Sequence, residues 1–218
     1  MRLVNYLSVT GLSAGIALFA IPSNAQNVSI PDLFPTGVDD FGVLLGDGIA
    51  DPNYNILETT SSGIVVNQAN IPSVWFPNNS NSRWIWETAT GQPTGVTRTF
   101  RTTFDLTGFD PNTASISGEW AVDNQGLDIL INGISTGQTS SGFGNLDSFS
   151  INEGFVSGLN TLDFIARDFG VISGFRVDSI SGNAELITEP EPVPEPSSLL
   201  GLVVGLLGTA SLKRTSEK

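Results

Sequence analysis

Carboxylates and aromatic rings are the side chains through which this sequence can do chemistry, because it contains no histidine and no cysteine. The absence of histidine excludes a Ser-His-Asp triad, histidine-ligated zinc and the commonest general base. The absence of cysteine excludes disulfide bonds and thiol chemistry. Carboxylates remain available for cation binding or for acid–base catalysis.

The densest group of acidic residues is near the start of the central segment and contains Asp39, Asp40, Asp47 and Asp51. Calcium takes about six to eight oxygen ligands, and neighbouring carboxylates in a loop supply several of them. The spacing does not follow the EF-hand pattern, and Asp and Asn are also common turn formers. We therefore expect these four residues either to hold a structural calcium ion or to form turns.

Trp75, Phe76, Trp84 and Trp86 lie close to turn-forming residues. Large, rigid, exposed rings are suited to stacking against sugars. Neighbouring residues in a strand point to opposite faces, so one of Trp75 and Phe76 would be exposed, and Trp75 is the better candidate for a ligand platform. Trp84 and Trp86 share a face, as core residues would, and core packing is also the alternative for Trp75.

Glu119 and Asp128 are the carboxylate pair that would serve a glycosidase. Glu119 and Trp120 point to opposite sides of one predicted strand, so an inward Trp120 leaves Glu119 in solvent. Nothing in the sequence marks a cleft around them. We therefore expect a non-catalytic protein, with a carboxylate-dependent hydrolase as the least favoured function.

The charge balance excludes nucleic acid as a partner. The chain has 22 acidic and 9 basic residues, and phosphate binding depends on Lys and Arg. Such an acidic surface suits divalent cations, or simply solubility outside the cell. Between residues 26 and 196 there is no Lys, and the basic residues are Arg83, Arg98, Arg101, Arg167 and Arg176.

The elements that must position these groups are predicted to be β-strands. In segment 98–106, alternate residues are apolar or Thr on one face and polar on the other, which is typical of a half-buried strand. The predicted inward residues are Phe100, Thr102, Phe104 and Leu106, and the predicted outward residues are Arg101, Thr103 and Asp105.

Similar alternation continues to the end of the central segment, with Asn132-Gly133 as a hairpin signal. No stretch of useful length has the helical period. We predict one all-β domain over residues 26–186, an antiparallel β-sandwich with a jelly roll as the favoured form. The further strand signals are Ile116–Val122, Leu127–Ile131, Phe149–Ile151, Leu162–Ala166 and Ser173–Ile180, the last with Phe175, Val177 and Ser179 on one side.

The order of motifs along residues 83–180 resembles that of galactose-binding-like β-sandwiches, the fold of many carbohydrate-binding modules. The resemblance implies a glycan-binding ectodomain, although this fold hosts many ligands and often none. The motifs are Arg101–Leu106, Trp120–Asn124, Asp128–Gly133 and Gly158–Phe164.

Residues 1–25 have the features of a secretory signal peptide. Arg2 is followed by an apolar stretch, Leu7–Ile21, and then by Pro22. Small residues three positions and one position before the cut predict cleavage by signal peptidase after Ala25. The alternative is an uncleaved anchor, for which the apolar stretch is short.

The C-terminal end has three parts. Residues 187–196 are rich in Pro and Glu and form a stiff linker, since Pro disrupts helices and strand ladders. Residues 197–212 are nearly all apolar or small and predict a transmembrane helix about 24 Å long, slightly short of a ~30 Å hydrocarbon core. Lys213 and Arg214 in the basic tail 213–218 place that end in the cytoplasm.

This three-part order, with Pro194, Glu195 and Pro196 directly before the helix, resembles the PEP-CTERM sorting signal of exported bacterial proteins. The resemblance implies that an exosortase cuts near the motif after a transient stay in the inner membrane. Release to the cell surface or extracellular matrix would follow. Pro190–Pro192 is a second copy further from the helix, and a permanent anchor with a Pro-rich stalk is the alternative.

We expect an exported protein that binds glycan or exopolysaccharide without catalysis. The alternative is a purely structural surface protein with no small ligand. An exposed Trp or Tyr on a concave face would favour glycan binding. Burial of every Trp would favour the structural role.

Overall fold

The computed structural model describes residues 26–187, which fold as an all-β antiparallel structure. The only helix in this range is one 3-10 turn at Gln68–Asn70. The strands are β1 (Asn27–Ser29), β2 (Ala50–Ile56), β3 (Ser61–Val65), β4 (Ile85–Trp86), β5 (Thr97–Asp105), β6 (Phe109–Asp123), β7 (Gln125–Ile131), β8 (Ile134–Ser135), β9 (Asp147–Ile151), β10 (Leu159–Arg167) and β11 (Gly174–Leu186).

The predicted signal peptide, sorting motif, transmembrane helix and basic tail all lie outside the described residues. Ala25, Pro194, Glu195, Pro196, Lys213 and Arg214 are therefore not placed by the structure. Between residues 26 and 187, no helix is long and apolar enough to cross a membrane.

The strands form one hydrogen-bonded path that folds back on itself into two layers. Its order is β8-β7-β10-β5-β2-β3-β4-β11-β6-β9, and β1 adds to β11. Phe100 of β5 stacks on Phe175 of β11 with ring centroids 4.3 Å apart, so β5 faces β11 across the core. The short β3 and β4 connect the two layers, and the result is a β-sandwich.

Phe164 of β10 lies at the centre of the core and is completely buried. Its ring contacts Trp120 of β6 and Phe175 of β11, at centroid distances of 5.5 and 5.4 Å. It also contacts Tyr54 of β2 and Phe149 of β9. All these contacts lie within residues 26–187, so a fragment with these bounds contains the core and the eleven strands that the structure describes.

The alternation predicted for the strand at 98–106 is confirmed in β5. Phe100, Phe104 and Leu106 are at most 1% exposed, while Thr103 and Asp105 on the opposite face are exposed. The predicted hairpin is also confirmed, because Asn132 and Gly133 have φ angles of 51° and 80° between the paired residues Ile131 and Ile134. Positive φ at both central residues is what a two-residue hairpin turn requires.

The last strand differs from its prediction. β11 runs on to Leu186, and Ser179 is exposed instead of sharing a face with Phe175 and Val177. The register with β6 shifts between Asp178 and Ser181, and Ser179 has a φ of 53°. A β-bulge adds one residue and reverses the alternation beyond it, which a simple period of two cannot anticipate.

We predict that Phe164→Ala lowers the free energy of unfolding by about 3–5 kcal/mol, because it removes a ring shared by both layers. Urea denaturation of the 26–187 fragment measures the loss. Phe41→Ala is the matched control, since Phe41 is 89% exposed and its loss should change stability by no more than about 0.5 kcal/mol. Equal losses in the two variants would contradict the assignment of Phe164 to the centre of the core.

Candidate functional site

The acidic residues of the N-terminal loop are engaged separately rather than gathered into one group. Asp39 accepts hydrogen bonds from the main-chain N–H groups of Phe41 and Val43, both at 2.9 Å, and closes a turn. Asp47 accepts one from the Gln68 N–H, also at 2.9 Å. Within residues 26–187, no three acidic side chains are grouped as a metal site would require.

Asp51 has a structural position at the start of β2. It is completely buried, and its two oxygens accept hydrogen bonds from the N–H groups of Gly37 (2.6 Å) and Asn53 (2.8 Å). Burial raises the pKa of Asp51 to about 7, against the opposing effect of these hydrogen bonds. Because both oxygens are occupied by the main chain, this carboxylate fixes the path of the loop onto the strand.

Trp75 is only 3% exposed, so the prediction of a sugar-stacking platform at this residue is wrong. Its N–H donates to the Pro72 carbonyl in a turn, and the strand alternation used for the prediction does not apply there. The ring packs against Trp84 at a centroid distance of 4.5 Å, and its Nε1 donates to Asp123 at 2.9 Å. The predicted burial of Trp84 and Trp86 is confirmed.

The loop between β3 and β4, which carries Trp75, is held by a buried guanidinium on β11. Arg176 is completely buried and donates to Ser82 Oγ (2.7 Å), the Pro77 carbonyl (2.6 Å) and Asp178 Oδ2 (3.0 Å). Burial lowers the pKa of Arg176, while the charge of Asp178 opposes this effect. We call these contacts the Arg176 network, and they place Trp75 against the core.

A polar cleft of about 350 Å³ lies on the outer face of β2 and β5, and we call it the sheet-face cleft. The outward residues of β5 predicted from alternation form part of its wall. Asn55 of β2 is the direct cross-strand partner of Arg101. The polar wall includes Asp32, Asp40, Asn53, Asn55, Arg101, Thr103 and Asp105, and the apolar wall includes Phe34, Pro52 and Leu159.

The sheet-face cleft combines one paired cation with several carboxylates. Arg101 forms a two-pronged ion pair with Asp163, at 2.6 and 2.7 Å, and this hydrogen bonding raises the pKa of Arg101. Hydrogen bonds from Thr107 lower the pKa of Asp105, which therefore stays ionised. Asp32 and Asp40 add two further acidic groups, so the cleft has an excess of negative charge.

The contribution of β2 to this cleft was missed by the sequence reasoning. β2 has the sequence Ala-Asp-Pro-Asn-Tyr-Asn-Ile, in which Asp, Pro and Asn are poor strand formers. The only signal in its favour is the alternation of Tyr54 and Ile56, both completely buried, with Asn53 and Asn55.

A second cavity, of about 470 Å³, lies between β8 and β9, the two terminal strands of the sheet path. Ile131, Ile134 and Gln138 line one side, and Ser150 and Glu153 are on the other. Its wall has few charged groups and no arginine. Its other polar residues, Ser135, Thr136 and Asn152, are uncharged, so the sheet-face cleft has the richer set of charged hydrogen-bonding groups.

Glu119 and Asp128, the residues considered for a hydrolase, line neither cavity. Trp120 is completely buried, as predicted, and its neighbour Glu119 lies opposite Ser148 in the sheet. Asp128 accepts hydrogen bonds from the N–H groups of Ile129 and Gly137 and so organises its own hairpin.

No family model and no curated protein matches the chain. Among solved structures, the chain is similar to the CBM35 from Paenibacillus barcinonensis, at 12% sequence identity and a TM-score of 0.35. The match covers 60% of this chain and 94% of that one.

We predict that Arg176→Met lowers the free energy of unfolding by about 3–5 kcal/mol, because it leaves Asp178 buried without its cation. Arg98→Met is the matched control: Arg98 pairs with Glu87 at 2.6 Å, but both side chains are partly exposed. A surface pair of this kind contributes at most about 1 kcal/mol. Urea denaturation measures both, and a small loss for Arg176→Met would mean that other contacts hold the β3–β4 loop.

Proposed function

We propose that the chain is an exported, non-catalytic protein whose β-sandwich binds a neutral glycan in the sheet-face cleft. The observation that carries this proposal is the set of side chains in the cleft. Sugar hydroxyls both donate and accept hydrogen bonds, and the amides of Asn53 and Asn55, the hydroxyl of Thr103 and the carboxylate of Asp105 supply both kinds of partner. Pro52 and Leu159 offer apolar surface beside them.

The size of the cleft and the strands that carry its residues also suit the binding of a small ligand. Its volume of about 350 Å³ lies within the usual range for small-ligand sites, about 300–1,000 Å³. Asn55, Arg101 and Thr103 stand on paired strands, so they are held more rigidly than loop residues would be.

The charge of the cleft indicates which glycans it would accept. Arg101 is already engaged by Asp163, while Asp32, Asp40 and Asp105 repel anions. Uronic acids and sulfated sugars should therefore bind poorly. The class of ligand that fits the charge of the cleft is a chain of neutral hexoses or pentoses, such as the neutral part of an exopolysaccharide.

The order of sequence motifs supports placing this sandwich among galactose-binding-like jelly rolls, and that finer classification is part of the proposal. A ligand-binding role without catalysis is part of the same proposal, and Glu119 and Asp128 line neither of the two cavities described above.

A purely structural role at the cell surface is the second candidate, and a specific observation favours it. All four tryptophans of the chain, Trp75, Trp84, Trp86 and Trp120, are buried. Sugar stacking on an indole ring is therefore not available. Glycan recognition has to rely on hydrogen bonds and on the apolar wall of the cleft.

The two ends of the chain support export and sorting. We propose that signal peptidase cuts after Ala25, and that the segment 197–212 then holds the protein in the inner membrane with Lys213 and Arg214 in the cytoplasm. An exosortase would recognise Pro194-Glu195-Pro196 and release the sandwich to the surface or matrix.

A glycan array with the 26–187 fragment tests the binding function, and we expect signals on neutral rather than acidic glycans. Thr103→Trp fills the sheet-face cleft and should abolish binding. Ser115→Trp is the matched control, because Ser115 is also an exposed strand residue but lies on β6 in the other layer. Absence of binding on a broad array would favour the structural role, and equal binding by both variants would move the site elsewhere.

Sorting is tested by Glu195→Gln in the full chain, expressed in a host that has an exosortase. We expect the variant to stay in the membrane fraction, because the central residue of the motif has lost its charge. Immunoblots of membrane and medium measure this, and Glu191→Gln in the second copy is the control that should be released normally. Unchanged release after both copies are altered would show that no exosortase acts on this tail.

A further inference from the structure

Two buried carboxylates at one end of the sandwich have an oxygen without a partner. Asp123 is 5% exposed and Asp168 is 2% exposed. In each residue, Oδ1 is buried and has no hydrogen-bond partner among residues 26–187. Most buried polar atoms in proteins are hydrogen-bonded, so a pair of unpartnered carboxylate oxygens requires an explanation.

The other oxygen of each carboxylate is fixed by a neighbour. Asp123 Oδ2 accepts the Trp75 indole N–H at 2.9 Å, and Asp168 Oδ2 accepts the Gly95 N–H. The Asp168 N–H also donates to the Val96 carbonyl at 2.9 Å. Both side chains are therefore held in position through Oδ2, while Oδ1 of each has no hydrogen-bond partner.

The two carboxylates belong to chain segments that are hydrogen-bonded to each other. Asn124, which follows Asp123, donates through its N–H to the Arg167 carbonyl at 2.9 Å. Its Oδ1 accepts the Phe169 N–H at 2.7 Å, so Asn124 bridges the residues on either side of Asp168. The charge of Asp168 is also one cause, after burial, of the raised pKa of Asp123, which places the two groups within electrostatic reach.

Neither Asp123 nor Asp168 forms an ion pair with a basic side chain among residues 26–187. Within residues 26–187, the arginines in ion pairs are Arg98, Arg101 and Arg176, and each is paired with another carboxylate. The Arg167 guanidinium lies over the Phe169 ring, 5.2 Å from its centroid. Burying carboxylates without a cation is strongly unfavourable, so a positive partner from solution would stabilise this end of the fold.

We propose that Asp123 and Asp168 bind a divalent cation, calcium, through their unpartnered oxygens. The two carboxylates supply hard oxygen ligands and there is no histidine or cysteine, which favours calcium over zinc or copper. Main-chain carbonyls and water would complete the coordination, as is usual when a protein supplies few carboxylates. The ion would tie the β6–β7 turn to the β10–β11 loop, and through Trp75 to the β3–β4 loop.

This proposal does not depend on glycan binding, because neither Asp123 nor Asp168 lines the sheet-face cleft. It also differs from the calcium expected at Asp39, Asp40, Asp47 and Asp51, since it rests on unpartnered oxygens rather than on a run of acidic residues.

Terbium luminescence tests the site directly, because the Trp75 indole is hydrogen-bonded to a proposed ligand and would transfer energy to a bound Tb³⁺. Excitation of the 26–187 fragment at the tryptophan band should produce terbium emission that added calcium suppresses. Asp123→Asn and Asp168→Asn should each weaken Tb³⁺ affinity by about tenfold or more. Calcium should raise the Tm of the wild type and not that of either variant.

Asp51→Asn is the matched control, because Asp51 is equally buried but both of its oxygens are hydrogen-bonded. It should keep the terbium signal. A fold check by circular dichroism accompanies every variant, and in chelator both Asn variants should melt no lower than the wild type, since each removes an uncompensated charge. Absence of emission in the wild type, or emission unchanged in both Asn variants, would overturn the proposal.

Discussion

The buried guanidinium of Arg176 is the interaction on which the arrangement of this sandwich depends. Its contacts with Ser82, Pro77 and Asp178 attach the long β3–β4 loop to β11. The chain has no disulfides, so a loop of this length needs such an anchor to stay in one conformation. Without it, the main-chain carbonyls of the loop would form hydrogen bonds with solvent water instead of with Arg176. Once the loop is anchored, Trp75 can fill the space above Gly174, where a Cβ atom would lie 2.5 Å from its ring.

Burial of the aromatic residues determines where binding can occur. The two layers meet through contacts such as those of Phe164 with Trp120 and Phe175, and all four tryptophans are buried. In the proposed function, recognition therefore relies on the polar residues that alternate with the core residues and lie on the outer face of the strands. The sheet-face cleft follows directly from this division, because Arg101, Thr103 and Asp105 are outward only while Phe100, Phe104 and Leu106 are inward.

Elements with regular alternation could be predicted from the sequence, and elements with local irregularities could not. β5 and the Asn132-Gly133 hairpin depend on side-chain period and turn chemistry, which are local properties. β2 was missed because Asp51 and Pro52 look like turn residues. Asp51 is tolerated there through hydrogen bonds from the N–H groups of Asn53 and of Gly37, and the second of these comes from a different part of the chain. The inward position of Trp75 depends in the same way on Arg176, which is about a hundred residues later. Long-range polar contacts of this kind leave no periodic signal.

The scarcity of basic residues links the two proposed sites. Segment 26–187 has no lysine, and three of its five arginines are already paired with carboxylates. The remaining acidic groups have to be stabilised by water, by main-chain N–H groups or by a cation from solution. On the exposed wall of the sheet-face cleft, solvent water can serve this purpose, and in the proposed function a sugar hydroxyl would replace it. At Asp123 and Asp168 water is largely excluded, so the same excess of negative charge favours a bound cation there.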